Sequence, residues 1–186
     1  MPMIRFETKK QDPRELVLIS MLAAIAAISR ILFAPLPNFK PMSFVIIVTG
    51  IVFGPESGFM VGSVSAILSN IFFGQGPWTL LQMLAWGLMG LTAGLLRNTV
   101  WIKSRYGILM FGFSWGFIFG WIMDAWYIIG FIRPLSLMTI IGGLSASFYF
   151  DLMHALANTF FLGIFSKSWI KLFNRIKIKY GLLEDS

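Results

Sequence analysis

Six apolar segments, at about 16–34, 41–54, 58–73, 79–100, 106–131 and 136–165, fill most of this chain, and the charged residues fall between them. A hydrocarbon core of ~30 Å is crossed by about 20 helical residues. Inside lipid every backbone polar group must be satisfied within the segment, so such segments form helices. The first, fourth, fifth and sixth segments have the required length, and the third is borderline. The second is short and is preceded by Pro35, Pro37 and Pro41, which leaves a re-entrant path as an alternative to a crossing. Composition points the same way. Hydrophobic residues make up 57% of the chain and charged residues 12%, against about 25% charged in soluble domains. A globule of 186 residues cannot bury that much apolar surface, so much of it faces lipid. The length is that of one domain, 1–186. The absence of cysteine excludes disulfides and thiolate metal sites. The first segment follows a basic leader, as the core of a signal peptide would. It is as long as a span, however, lacks a small-residue cleavage site and precedes further spans, so it is read as retained.

The net charge of +7 is concentrated at the ends of the apolar segments, which is a membrane pattern rather than a nucleic-acid one. With six spans and the N-terminus inside, Arg5, Lys9, Lys10, Arg14, Arg97, Lys103, Arg105, Lys167, Lys171, Arg175, Lys177 and Lys179 share the inner side. Only Arg30, Lys40 and Arg133 lie in the outer half, a ratio of 12 to 3. If the second segment does not cross, the count becomes 5 inside and 10 outside. Basic residues favour the cytoplasmic side. The expected fold is therefore an all-α bundle of six transmembrane helices with both termini cytoplasmic. Small residues recur every four positions at Ala23 and Ala27, Gly58 and Gly62, Gly90 and Gly94, and Gly112, Gly116 and Gly120. Such stripes let helices approach closely in lipid.

Polar residues in lipid are expensive and are usually paired or functional. In this orientation they gather in the outer half: Arg30, Asn70, Gln75, Gln82, Trp86, Asp124, Trp126, Tyr127 and Arg133, with Asp151, His154 and Asn158 on one face of the last span. The junction between the third and fourth segments carries a Gly-Gln-Gly-Pro turn, two amides and two tryptophans, Trp78 and Trp86. Gln82 and Trp86 stand four apart and share a helix face. Hydrogen-bonding groups among flat apolar surfaces suit a small-molecule pocket. The expected site is a cavity open to the outside, lined by tryptophan, tyrosine, amides and a few charges. Trp78 and Trp126 also suit the aromatic belt of a membrane interface. Arg30 and Asp124 also suit a structural ion pair, and Asp151 with His154 a satisfied polar pair.

Signals for catalysis are few. Gly112-Phe113-Ser114-Trp115-Gly116 matches G-x-S-x-G, and His154 lies at a similar depth, so an intramembrane serine hydrolase is one alternative. The nucleophile elbow, however, belongs to a strand–turn–helix context, and these glycines continue as a stripe to Gly120. One histidine and scattered carboxylates lack metal-ligand spacing. There is no G-x-x-x-x-G-K-[ST], so no P-loop ATP site exists. A stand-alone secondary carrier with Asp124, Asp151 or His154 linked to protons is a second alternative.

The blocks Pro-Asn-Phe-Lys-Pro (37–41), Gly-Ile-Val-Phe-Gly-Pro-Glu-Ser-Gly-Phe (50–59) and Asn-Ile-Phe-Phe-Gly-Gln-Gly-Pro-Trp-Thr (70–79) carry a resemblance. With the six spans and the Ala23/Ala27 stripe, the chain resembles the S components, the substrate-binding membrane subunits of energy-coupling factor (ECF) transporters. The resemblance implies a prokaryotic plasma-membrane subunit, not an enzyme, that captures a vitamin-type micronutrient from outside. It further implies delivery through a transmembrane coupling subunit and two cytoplasmic ATPases, with no catalytic cofactor, metal or nucleic acid. On this resemblance Ala23 and Ala27 dock the coupling subunit, while Arg30, Asn70, Gln75, Trp78, Gln82, Trp86, Asp124 and Tyr127 contact the ligand. The Gly-Gln-Gly-Pro-Trp turn and short outer loops look most similar to the cobalamin type. Riboflavin, pantothenate and a queuosine precursor are the alternative cargoes.

Overall fold

A computed structural model describes residues 13–181. Among the described residues it contains seven helices: α1 (Pro13–Leu32), α2 (Met42–Phe53), α3 (Pro55–Phe73), α4 (Trp78–Leu95), α5 (Val100–Lys103), α6 (Arg105–Phe131) and α7 (Leu137–Tyr180). Five of them, α1, α3, α4, α6 and α7, are long and apolar enough to cross a membrane. The sixth apolar segment is α2, whose 12 residues make only ~18 Å of helix. The ends of the chain, with Arg5, Lys9 and Lys10, lie outside the described residues.

Local chemistry sets the boundaries. Pro55 occupies the first turn of α3, where its missing N–H and fixed φ fit best. Ser104 accepts from the Gly107 amide to cap α6. Ser136 and Thr139 form a capping box at the start of α7. The corner between α2 and α3 is Gly54 at φ 101°, a backbone region that side chains rarely enter. The expected fourth span, 79–100, ends instead at Leu95. There the chain bends at Leu96 and restarts as the single turn α5. The expected sixth span, 136–165, continues to Tyr180. The apolar run stops where lysines begin, but Phe173 stays buried against Phe53 and holds the helix in place.

α2 is the core of the bundle. Every residue from Met42 to Phe53 except Ile51 is buried, and it packs on α1, α3, α4, α6 and α7. It also covers depth beyond its helical length. Asn38 Nδ2 donates to the Phe150 carbonyl at 3.1 Å, Ser43 Oγ meets His154 Nε2 at 2.8 Å, and Lys177 Nζ donates to the Val52 carbonyl at 3.4 Å. Residues 38–52 are therefore tied to α7 at points from Phe150 to Lys177, partly through the reach of the Asn38 and Lys177 side chains.

α3 and α4 form the tightest pair. A Cβ on Gly90 would strike the Gly58 carbonyl, and one on Gly58 the Gly90 carbonyl. A Cβ on Gly50 of α2 would also meet the Gly90 carbonyl. Ser63 Oγ donates across the same pair to the Met83 carbonyl at 3.0 Å. Gly90→Val is therefore expected to force the helices apart and cost about 3 kcal/mol or more. Gly142→Ala, where a Cβ meets nothing within 4 Å, is expected to be tolerated. Monodispersity and melting temperature in detergent check both. Equal behaviour of the two variants would contradict the packing.

Candidate functional site

The polar residues expected in one half of the bundle separate into a connected network and several outliers. Asn70 is the network's centre. It is 1% exposed, at the end of α3, just before the chain leaves the helix through Gly74 at φ 98°. Its Oδ1 accepts from Arg30 Nη1 at 2.7 Å, and its Nδ2 donates to Thr79 Oγ1 at 3.0 Å and Gln82 Oε1 at 2.7 Å. Thr79 in turn accepts from the Gly76 amide at 3.2 Å and donates to Gln75 Oε1 at 3.0 Å. Gln75 Nε2 donates to the Ile67 carbonyl at 2.9 Å. The Gly-Gln-Gly-Pro turn is thus tied to both flanking helices.

Arg30 joins this network to a cavity. Its Nη1 also donates to Ser69 Oγ at 2.6 Å. Its guanidinium carbon lies 4.6 Å from the Phe73 ring centre and 4.9 Å from that of Trp86, within cation–π range. Lys40 Nζ lies 4.7 Å from the Phe73 ring centre on the same side. Neither cation has a carboxylate partner among the described residues. Together with Gln82, Trp86, Ser43 and His154 they border a cavity of about 80 Å³. Its floor is fixed: Trp86 Nε1 donates to Ser43 Oγ at 3.2 Å, and the Trp86 ring packs on Phe119 with centroids 4.5 Å apart. A ligand site for a drug-sized molecule measures about 300–1,000 Å³, so this cavity accommodates one functional group of a larger molecule.

Of the residues expected to line a ligand site, Arg30, Gln82 and Trp86 border the cavity and Asn70 stands directly behind it. Gln75 shapes the turn. Trp78 is half-exposed with its ring over Gly76. Tyr127 is exposed and stacks on Phe131. Asp124 accepts from Ser147 Oγ at 2.5 Å, and Ser147 also lies 3.5 Å from Asp151. The Arg30–Asp124 ion pair is absent, since Arg30 turns toward α3 and Asp124 toward α7. Ala23 and Ala27 are 0% and 3% exposed: their small side chains face into the bundle rather than forming an open stripe. The exposed face of α1 carries Val17, Met21, Ile25 and Ile28 instead.

The hydrolase alternative fails on geometry. Ser114 is exposed in an uninterrupted helix, whereas His154 is buried on Ser43. No cluster of three His, Asp or Glu that could hold a metal ion exists among the described residues. Sequence reasoning missed Lys40, Ser43 and Thr79. Their signals were a hydroxyl at the head of an otherwise apolar helix, a lysine between two prolines, and a threonine three residues after a turn glycine.

The model of the family described as ECF transporter, substrate-specific component, matches residues 14–175. No curated protein and no solved structure matches the chain.

Asn70→Ala leaves Arg30, Thr79 and Gln82 short of a partner. It is expected to cost about 3 kcal/mol, read as a melting temperature several degrees lower in detergent. Gln75→Ala, at an exposed position, is expected to change it far less. A reversed order would contradict Asn70 as the centre of the network.

Proposed function

The chain belongs to the family of ECF transporter substrate-specific components, and on that premise we propose that it captures a micronutrient through an anionic group held by Arg30 and Lys40. The observation that carries this reading is the pair of cations on one cavity with only neutral partners: a hydroxyl, an amide and two aromatic rings. Two like charges held near each other without a counter-charge favour an incoming anion. A guanidinium suits the two oxygens of a carboxylate or phosphate.

The orientation follows from charge. Arg14, Arg97, Lys103, Arg105, Lys167, Lys171, Arg175, Lys177 and Lys179 gather at one end of the described bundle, away from Arg30, Lys40 and Arg133. The basic end is assigned to the cytoplasm, which turns the Arg30 cavity outward. In this reading residues 38–53 make the sixth crossing, residues 38–41 adding reach to the short α2. The captured molecule then passes to the coupling subunit and ATPases of the ECF module, since the chain has no P-loop of its own.

Charge also sorts the candidate cargoes. Cobalamin carries a phosphodiester and pantothenate a carboxylate, and either supplies the anion. Riboflavin and a queuosine precursor carry none. A cavity of about 80 Å³ is far smaller than a corrinoid, so cobalamin would place only its phosphodiester there, with the ring system above the cavity mouth.

Calorimetric titration of the purified chain with cobalamin, pantothenate, riboflavin and a queuosine precursor tests the proposal. Tight, salt-sensitive binding of an anion-bearing member is expected, weakened roughly 10- to 100-fold by Arg30→Gln. Tight binding of an uncharged member, unaffected by Arg30→Gln, would overturn it.

A further inference from the structure

A second cavity, of about 560 Å³, opens at the opposite, basic end of the bundle, between the α4–α6 connection and the last third of α7. Lys103, Arg105 and Lys167 stand on its exposed rim. Lys103 and Arg105 flank Ser104 at the junction of α5 and α6, and the fold brings Lys167 of α7 to the same rim. None of the acidic residues among the described ones, Glu15, Glu56, Asp124 and Asp151, lines the cavity. Its inner wall is apolar, formed by Ile108, Leu109 and Ile170. The volume lies within the range of small-molecule sites. A cationic rim over an apolar wall suits an amphiphile with an anionic head.

The surroundings indicate where that amphiphile comes from. Val100 and Trp101 on α5, and Tyr106 at the start of α6, are exposed beside the cavity at 87%, 48% and 81%. Aromatic residues at this position mark the membrane–water interface, and clustered basic residues beside a span attract anionic headgroups. The single turn α5 turns Val100 and Trp101 outward and buries Ile102 beneath them.

We propose that this cavity binds the phosphate headgroup of an anionic phospholipid from the adjoining leaflet, with Lys103, Arg105 and Lys167 on the phosphate and the apolar wall along the first acyl carbons. The site is at the other end of the molecule from the Arg30 cavity and does not depend on which cargo is captured.

The test is native mass spectrometry and melting of the full chain in detergent, titrated with short-chain phosphatidylglycerol, short-chain phosphatidylcholine or inorganic phosphate. Phosphatidylglycerol is expected to bind and raise the melting temperature, while phosphatidylcholine and phosphate at the same concentration do neither. The triple variant Lys103→Gln, Arg105→Gln and Lys167→Gln is expected to weaken phosphatidylglycerol binding on the order of 100-fold, at about fivefold per cation. Should that variant fail to fold, the three single variants are read instead, each expected to lose about fivefold. Lys171→Gln with Lys179→Gln, which removes charge at the same end but outside the cavity, is expected to leave binding unchanged. Equal binding of the two lipids, or equal losses in the cavity and control variants, would overturn the proposal. Phosphate binding as tight as phosphatidylglycerol would overturn the lipid as ligand and leave a free-phosphate site.

Discussion

α3 and α4 touch backbone to backbone where Gly58 meets Gly90, and Gly50 of α2 reaches the same point. Lipid offers no hydrophobic drive for one helix to leave it for another, so association rests on close packing and on hydrogen bonds between helices. Three glycines at one level supply the first. Ser63 to the Met83 carbonyl, Asn70 to Gln82 and Trp86 to Ser43 supply the second. The functional groups depend on this junction. With larger residues there, Gln82 and Trp86 on α4 would stand off from Asn70 and Ser43, and the cavity floor would not close.

The end of the bundle that carries Arg30 is built in two parts. Around Arg30 the side chains of Ser69, Asn70, Thr79 and Gln82 are joined by hydrogen bonds, and the cavity is small. α6 and α7 beyond Asp124 and Asp151 pack chiefly on each other, and most of their residues from 129 to 150 are exposed.

Much of the helix placement was legible because lipid imposes a simple rule on long apolar runs. Five segments became helices of spanning length at nearly the expected positions. The rule failed where hydropathy and helicity part. The expected fourth span runs on to residue 100, but the helix ends at Leu95, just before Arg97 and Asn98, and residues 166–180 stay helical after the apolar run has ended. Around the cavity, the grouping of Arg30, Asn70, Gln82 and Trp86 was legible because a polar or flat side chain at that depth needs a partner. Tyr127 and Trp78 share that chemistry, yet side-chain direction decides which residues meet and periodicity alone did not supply it. Ala23 and Ala27 show the same ambiguity: a small-residue stripe looks alike whether it packs inward or awaits a partner. Lys40 and Ser43 were not placed in the site because they reach the cavity from the loop and first turn of a segment defined mainly by its lack of polar residues.

The proposed role of Arg30 and Lys40 is to receive an anionic group of the captured molecule. The most direct measurement is an experimental structure of the chain with its cargo bound. A carboxylate or phosphate is expected within hydrogen-bond distance of the Arg30 guanidinium and the Lys40 ammonium, above the Trp86 ring. A bound cargo that presents an uncharged group to both cations, or that binds away from them, would contradict it.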